Sequence, residues 1–328
     1  MISKAEGSVS SFDGDSDEGQ NLGKVWATLI TRESYLSGLL TLDYSLRKSH
    51  SAYPLVAFYT DTVPGWCLNA IQARNIITRR VEHIRPSSER EHDEDPRFAD
   101  TWTKLAVFSL TEYKRIVLLD SDMLVLRNMD ELMELDLDEP ALAARGGKAS
   151  RRVYAAGHAC VCNPLKKALP GRLGAGELRL HKTARKPGQG PGLGGSCDLS
   201  PLGNINSGLL VINPSEEVFS QIVEYMEEHG SRMIFPDQSV LSELFQGRWV
   251  ALPYIYNALK TLRKPETHGA IWRKNRVKNV HYILAPKPWE ELDENGDWTG
   301  TDESHRWWIE ENRERIEVER RIEIADGF

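Results

Sequence analysis

The chain has 328 residues, of which 40% are hydrophobic and 27% charged, with a net charge of −7 at pH 7. That length buries a large core, as one big α/β domain or two ordinary ones, and the acidic balance gives no electrostatic footprint for nucleic acid or for a basic membrane-facing surface. Four cysteines, Cys67, Cys160, Cys162 and Cys197, are too few for a disulfide scaffold and fit a reducing compartment. Cys160 and Cys162 make C-x-C, which is not the spacing of a zinc ribbon or a redox dithiol.

Residues 1–23 are rich in Ser, Asp and Gly and have no apolar core, so they read as a disordered tail and not as a signal peptide. Lys24–Thr31 is a short β-rich run, and Tyr35–Ser49 an amphipathic helix with Leu36, Leu39, Leu40, Leu42 and Leu46 apolar. Leu55–Tyr59 reads as a second strand, Gly65–Arg74 as a helix and Asn75–Val81 as a third strand. This alternation is the signature of a parallel sheet flanked by helices. A charged loop over Glu89–Arg97 leads to a predicted helix at Trp102–Thr111 and a strand at Arg115–Leu119.

Residues 139–203 are rich in Gly, Pro, Lys and Arg and only weakly periodic, and read as a flexible insertion. Regularity returns with a strand at Ile205–Asn213 and a helix at Ser215–His229. A helix opens at Phe235-Pro-Asp-Gln238, with Asp237 in its first turn. A short strand at Val277–Tyr282 precedes a charged helix within 299–328. No apolar run approaches the ~18 residues of a membrane span, and a cytoplasmic protein is expected.

The chemistry concentrates where the apolar run Ile116–Leu119 meets Asp120-Ser121-Asp122. In open parallel sheets the ligand crevice lies beyond the carboxyl ends of the strands. Two carboxylates at i and i+2 there suit Mg²⁺ or Mn²⁺, which accept few protein ligands and fill their remaining positions with phosphate oxygens and water. A strand followed by D-x-D also opens phosphatases of the haloacid-dehalogenase type, with the first Asp as nucleophile. Here the motif comes late in the chain, Met123 follows it, and no later acidic pair completes their magnesium site. His281 and Lys287, after the last strand, offer a borderline metal ligand and a compact charge for a diphosphate.

Together these segments resemble family 8 glycosyltransferases, the glycogenin and galactinol synthase group. The resemblance is carried by "VWATLITRESYLSGLLTLDYSLRKS", "TWTKLAVFSLTEYKRIVLLDSDMLVLRNMDELME", "INSGLLVINPS", "PDQSVLSELF", "ALPYIYN" and "VHYILAPKPW", in that order, over residues 24–138 and 204–290. It implies a GT-A fold, a Rossmann-like nucleotide-binding mixed sheet flanked by helices, in a single α/β domain over residues 24–298. It also implies a UDP-hexose donor, Mn²⁺ (or Mg²⁺) as cofactor, and retention at the anomeric carbon.

By position, Asp120, Asp122 and His281 would be the metal ligands. Leu29, Thr31 and Tyr35 would surround the uracil and ribose, with Arg97 nearby and Ser121 close to the ribose. Lys104 would meet the sugar and Lys287 the diphosphate. Asn206, Ser207, Gly208, Asp237 and Gln238 would line the hexose, with Asp237, Gln238 and Lys104 as the catalytic candidates. The acceptor (a polyol, glycan, lipid or natural product) is left open, as is a homodimer.

Two departures stand out. Family members carry Gly three residues after the metal histidine, where this chain has Leu284, so a shifted loop or weaker diphosphate binding is expected. After Ile255-Tyr256-Asn257 no tyrosine follows in "ALKTLRKPETHG", so self-glucosylation of the glycogenin kind is not expected. A non-catalytic sugar-nucleotide-binding protein is the remaining alternative.

Overall fold

The computed structural model describes residues 23–87, 101–146, 149–160, 203–233, 235–265 and 268–328. Among them ten strands form two sheets. The strands are Lys24–Ile30 (β1), Leu55–Tyr59 (β2), Ile77–Arg80 (β3), Arg115–Leu119 (β4), Met123–Val125 (β5), Tyr154–His158 (β6), Ile205–Ile212 (β7), Trp249–Leu252 (β8), Ala258–Leu259 (β9) and Asn279–His281 (β10). The larger sheet runs β3-β2-β1-β4-β7-β6-β8, and the smaller β5-β10-β9. In the larger sheet β7 is antiparallel to both neighbours, while every other pairing is parallel.

The α-helices are Leu36–Lys48 (α1), Gly65–Gln72 (α2), Pro140–Arg145 (α3), Glu216–His229 (α4), Pro236–Leu244 (α5) and Glu303–Arg321 (α6). Every residue of β4 is buried, so both of its faces are covered. Alternation along the strand divides its side chains between two cores. Ile116 and Leu118 pack with Val218, Ile222 and Leu241 from α4 and α5. Val117 and Leu119 pack with Leu39, Leu42 and Ile71 from α1 and α2. This is the covered-on-both-faces sheet expected of a continuous apolar run.

Two sequence expectations need correction. The span 139–203 is not a single insertion: residues 140–145 form α3, and Tyr154–His158 is an interior strand between β7 and β8. "YAAGH" has no β-branched residue, so the strand is set by pairing and burial and not by propensity. Its remaining residues, 161–202, lie outside the described ones, as do residues 1–22 and Arg97. Trp102–Ser109 is a 3₁₀ helix, not an α-helix. Thr103 and Val107 are β-branched and stiff at χ1, which weakens the α-helical preference.

The charged helix expected within 299–328 is α6, and it packs into the fold. Its Arg315 is completely buried, Asn312 accepts from Thr41 of α1 at 2.9 Å, and Glu319 pairs with the buried Arg74 at 2.8 Å. It is an integral part of the α1 face. No helix among the described residues is long and apolar enough to cross a membrane.

Candidate functional site: an Asp-Asp-His cluster at the carboxyl end of the sheet

Strand β4 ends at Leu119, and the Asp120 N–H donates to Gly208 O of β7 at 2.8 Å. That bond pins the first aspartate beside Asn206-Ser207-Gly208. The chain then turns into β5, which pairs antiparallel with β10 so that Met123 faces His281. The Tyr282 N–H donates to Asp122 O at 2.9 Å, continuing the register. A two-residue turn and a three-residue ladder therefore bring together groups remote in sequence. His281 Nε2 lies 3.2 Å from Asp122 Oδ1 and 3.6 Å from Asp120 Oδ2.

The imidazole is oriented from behind. His281 Nδ1 lies 2.9 Å from Asn257 Oδ1, the Asn257 amide donates to Asn206 Oδ1 at 2.7 Å, and that oxygen also accepts from the Gly208 N–H at 3.2 Å. Because Asn206 Oδ1 can only accept, the Asn257 amide nitrogen faces it and the Asn257 oxygen faces the ring. His281 then donates its Nδ1–H to Asn257, which turns Nε2 toward the carboxylates. Asn257 is a site residue that sequence reasoning quoted within "IYN" but gave no role. Asn257→Ala is expected to weaken divalent-metal affinity by about 10–100-fold, measured by calorimetric titration with Mn²⁺. Unchanged affinity would show that the ring is held by something else.

Gly208 makes room for this arrangement. A Cβ there would stand 2.3 Å from His281 Cε1 and 2.7 Å from Nδ1. Gly38 of α1 does the same for the aspartate turn, since a Cβ would meet Ser121 O at 2.5 Å and the Trp289 ring at 2.8 Å.

The donor set fits a small divalent cation. One oxygen of each carboxylate and an imidazole nitrogen lie within 4.8 Å of one another. Adjacent ligands of an octahedral ion with bonds of about 2.1 Å are separated by about 3 Å, close to the 3.2 Å between His281 Nε2 and Asp122 Oδ1. Two hard oxygens and one borderline nitrogen suit Mn²⁺ or Mg²⁺.

Two buried ammonium groups flank the cluster. Lys104 Nζ lies 2.7 Å from Asp120 Oδ1 and 3.3 Å from Asp237 Oδ2. Burial pulls its pKa down, but the two carboxylates outweigh that and hold the lysine above its usual value. Lys287 pairs with Asp122 and donates to Tyr282 O at 2.9 Å. Burial alone would raise the Asp122 pKa, yet Lys287 and His281 hold the carboxyl well below the ordinary carboxylate range.

On the far side of Lys104, Asp237 Oδ2 accepts from Ser207 Oγ at 2.6 Å. Gln238 Oε1 accepts from the Asn206 amide at 3.1 Å and the Ser207 N–H at 3.2 Å. Both residues sit in the first turn of α5, where Pro236 at the start gives up no helical hydrogen bond.

Leu29, Thr31, Tyr35, Lys104, Asp120, Ser121 and Asp122 line one open cleft, joined by Arg32 and Thr101, which sequence reasoning missed. Ser121 is turned inward: its hydroxyl donates to Leu29 O at 3.2 Å and lies 3.1 Å from Thr28 Oγ1, tying the aspartate turn to β1.

Leu284 was expected to shift its loop or weaken diphosphate binding. Its φ is +64°, so the leucine takes the left-handed conformation that a glycine would take freely, at a strain of about 1–2 kcal/mol. Leu284→Gly relieves that strain but adds about 0.5–1 kcal/mol of backbone entropy. The expected net result is a small rise in the denaturant midpoint. A marked fall would mean that contacts of the half-buried leucine side chain hold the turn.

Comparison with known proteins agrees with this geometry. Galactinol synthase 4 of Arabidopsis thaliana is 24% identical over 299 residues, covering 88% of this chain and 80% of that protein. Among solved structures, the glycosyltransferase GlyE of Streptococcus pneumoniae TIGR4 superposes with a TM-score of 0.54 at 17% identity over 88% of this chain, which spans 60% of GlyE. The galactosyltransferase LgtC, solved with donor and acceptor sugar analogues, gives a TM-score of 0.54 at 15% identity, covering 87% of this chain and 95% of LgtC. At such identities the likeness establishes the fold, which is GT-A. The family model for glycosyl transferase family 8 matches residues 27–293, a span that holds most of β1, all of β2 through β10, both aspartates, His281 and Lys287. The chain belongs to glycosyl transferase family 8.

Proposed function

We propose that this protein is a metal-dependent, retaining hexosyltransferase that moves glucose or galactose from a UDP-sugar to an acceptor hydroxyl in the cytoplasm. The observation that carries the reading is the convergence of Asp120, Asp122 and His281 with Lys104 and Lys287, beside the cleft of Leu29, Thr31 and Tyr35. Bound divalent metal would supply a Lewis acid for the diphosphate oxygens.

The chain's own groups do the rest. Leu29, Thr31 and Tyr35 hold the uracil and ribose, and the Ser121 turn sets the depth of that pocket. Arg97 is proposed to approach the same end of the cleft. Lys287 meets the diphosphate and offsets the charge that grows as the glycosidic bond breaks. Lys104, held by Asp120 and Asp237, contacts the hexose hydroxyls. Gln238, its carbonyl occupied by Asn206 and Ser207, turns its amide toward the hexose ring.

With Asp237 Oδ2 committed to Ser207 and Lys104, same-face transfer is favoured over attack by Asp237. The bond from the anomeric carbon to the UDP oxygen breaks, the acceptor oxygen bonds on the same face, and the acceptor proton passes to the departing phosphate. The likeness to a galactinol synthase favours a polyol as acceptor. Family membership stands against the phosphatase alternative.

The test is UDP release from UDP-glucose and UDP-galactose with Mn²⁺, with mass-spectrometric detection of product in pooled acceptors. Turnover that survives chelation would defeat the metal assignment. Tight UDP binding with no transfer to any acceptor would leave a binding protein in place of an enzyme.

A further inference from the structure

Lys260 sits one residue beyond Leu259, which pairs with His281 across β9 and β10. Its ammonium donates to Pro286 O at 2.9 Å and lies 3.0 Å from His305 Nε2. A lysine ammonium has only donors, so His305 Nε2 is the acceptor and Nδ1 carries the proton. That proton points to Glu291 Oε2 at 2.7 Å, and the same oxygen accepts from Trp298 Nε1 at 3.0 Å. Lys260 and His305 are buried.

Lys260, His305 and Trp298 thus bear on one short segment, residues 282–291, through Pro286 and Glu291. Pro286 precedes Lys287, the Lys287 N–H donates to Glu290 Oε2 at 2.7 Å, and the Tyr282 hydroxyl donates to Ser304 O at 2.9 Å. Each bond on the far side reaches α6 or the turn before it.

A second buried lysine beside Lys287 is unfavourable in itself. Burial, and then the like charge of Lys287, push the Lys260 pKa down to about 8, and burial and Lys260 lower that of His305. A methionine would fill the space without that penalty. Retaining a charge there points to a task for it.

We infer that Lys260, His305 and Glu291 are positioning residues that brace the segment carrying Lys287, so that helix α6 is part of the donor site's machinery. The inference rests on the donor reading above for what Lys287 meets. Lys260 supplies the donor that holds Pro286 O, His305 fixes Lys260, and Glu291 fixes the tautomer of His305. None of the three lines the cleft beside Asp120 and Asp122.

The experiment compares Lys260→Met, His305→Leu and His305→Gln with wild type in the full chain. Amide exchange over residues 283–291 needs no ligand, and calorimetry gives affinity for UDP with Mn²⁺ and for Mn²⁺ alone. Lys260→Met and His305→Leu are expected to speed exchange in that segment and weaken UDP about tenfold or more, with Mn²⁺ affinity within about threefold of wild type. His305→Gln keeps an acceptor for Lys260 and a donor for Glu291, and is expected to stay within about threefold of wild type throughout.

Unchanged exchange overturns the brace, as does exchange that rises evenly over the whole chain. Faster exchange with unchanged UDP affinity overturns its role in donor binding. Wild type that binds no UDP overturns the donor reading instead, and the exchange comparison still decides whether the brace holds the segment.

Discussion

Asp122→Ala is expected to lower folding stability by about 3–5 kcal/mol, because it strips the counter-charge from a buried ammonium, and to lower turnover by a factor on the order of 10²–10³ or more. Asp122 and Lys287 are each buried, and the aspartate also faces His281 Nε2. Removing the aspartate takes the buried counter-charge from Lys287, which keeps its bond to Tyr282 O, in a region where Lys260 already adds positive charge. The two losses can be separated. The double variant Asp122→Ala/Lys287→Met removes the stranded charge, so its denaturant midpoint should recover most of the way toward wild type while turnover stays lost. If the double variant is as unstable as the single one, the ion pair is not what Asp122 contributes to folding. If the single variant turns over normally, the metal assignment is wrong.

Gly208→Ala is expected to be nearly as damaging through a single methyl group. The added carbon falls well inside van der Waals contact distance of two His281 ring atoms, and the ring cannot retreat without breaking its bond to Asn257. Overpacking of this kind costs about 1–3 kcal/mol, and a displaced ligand adds a loss of metal affinity on the order of 10–100-fold. The readouts are the thermal midpoint and a calorimetric Mn²⁺ titration. Gly65→Ala serves as the control: it lies at the start of α2, a Cβ there meets nothing within 4 Å, and stability should hold or rise slightly. A Gly208→Ala protein that binds Mn²⁺ as wild type does would show that the ring has another place to go.

How far the sequence alone reaches is clear from particular residues. β1, α1, β2, β4, β7 and α5 were legible because each is a local pattern: an apolar run, a 3.6-residue stripe or a proline-led start. The Asp120-Ser-Asp122 turn was legible for the same reason, as two charges directly after the apolar run Ile116–Leu119. β5, β6, β8 and β9 were not, since "MLV", "YAAGH", "WVAL" and "AL" become strands only when partners from elsewhere pair with them. Asn257 was hidden for a related reason. Its role depends on Asn206 and His281 arriving at its two ends, and no spacing within "IYN" records that. His281 and Lys287 could be singled out as a metal ligand and a diphosphate charge, but only the family resemblance favoured those roles, because a single histidine after a short strand has many ordinary explanations. At Leu284 the residue type raised a shifted loop or weaker diphosphate binding; the backbone there takes a left-handed φ of +64°, which no side-chain pattern records.

The small sheet β5-β10-β9 carries a consequence for how the protein is made. Every strand of the larger sheet lies before residue 253, whereas the strand that delivers His281 begins at residue 279. On a ribosome, which releases the amino-terminal part first, all strands of the larger sheet can be made while His281, Lys287 and α6 are still unsynthesised. On the proposed function, activity would therefore wait for the last fifty or so residues, and translation that stops early would leave the larger sheet without His281, Lys287 or the α6 side of the α1 face.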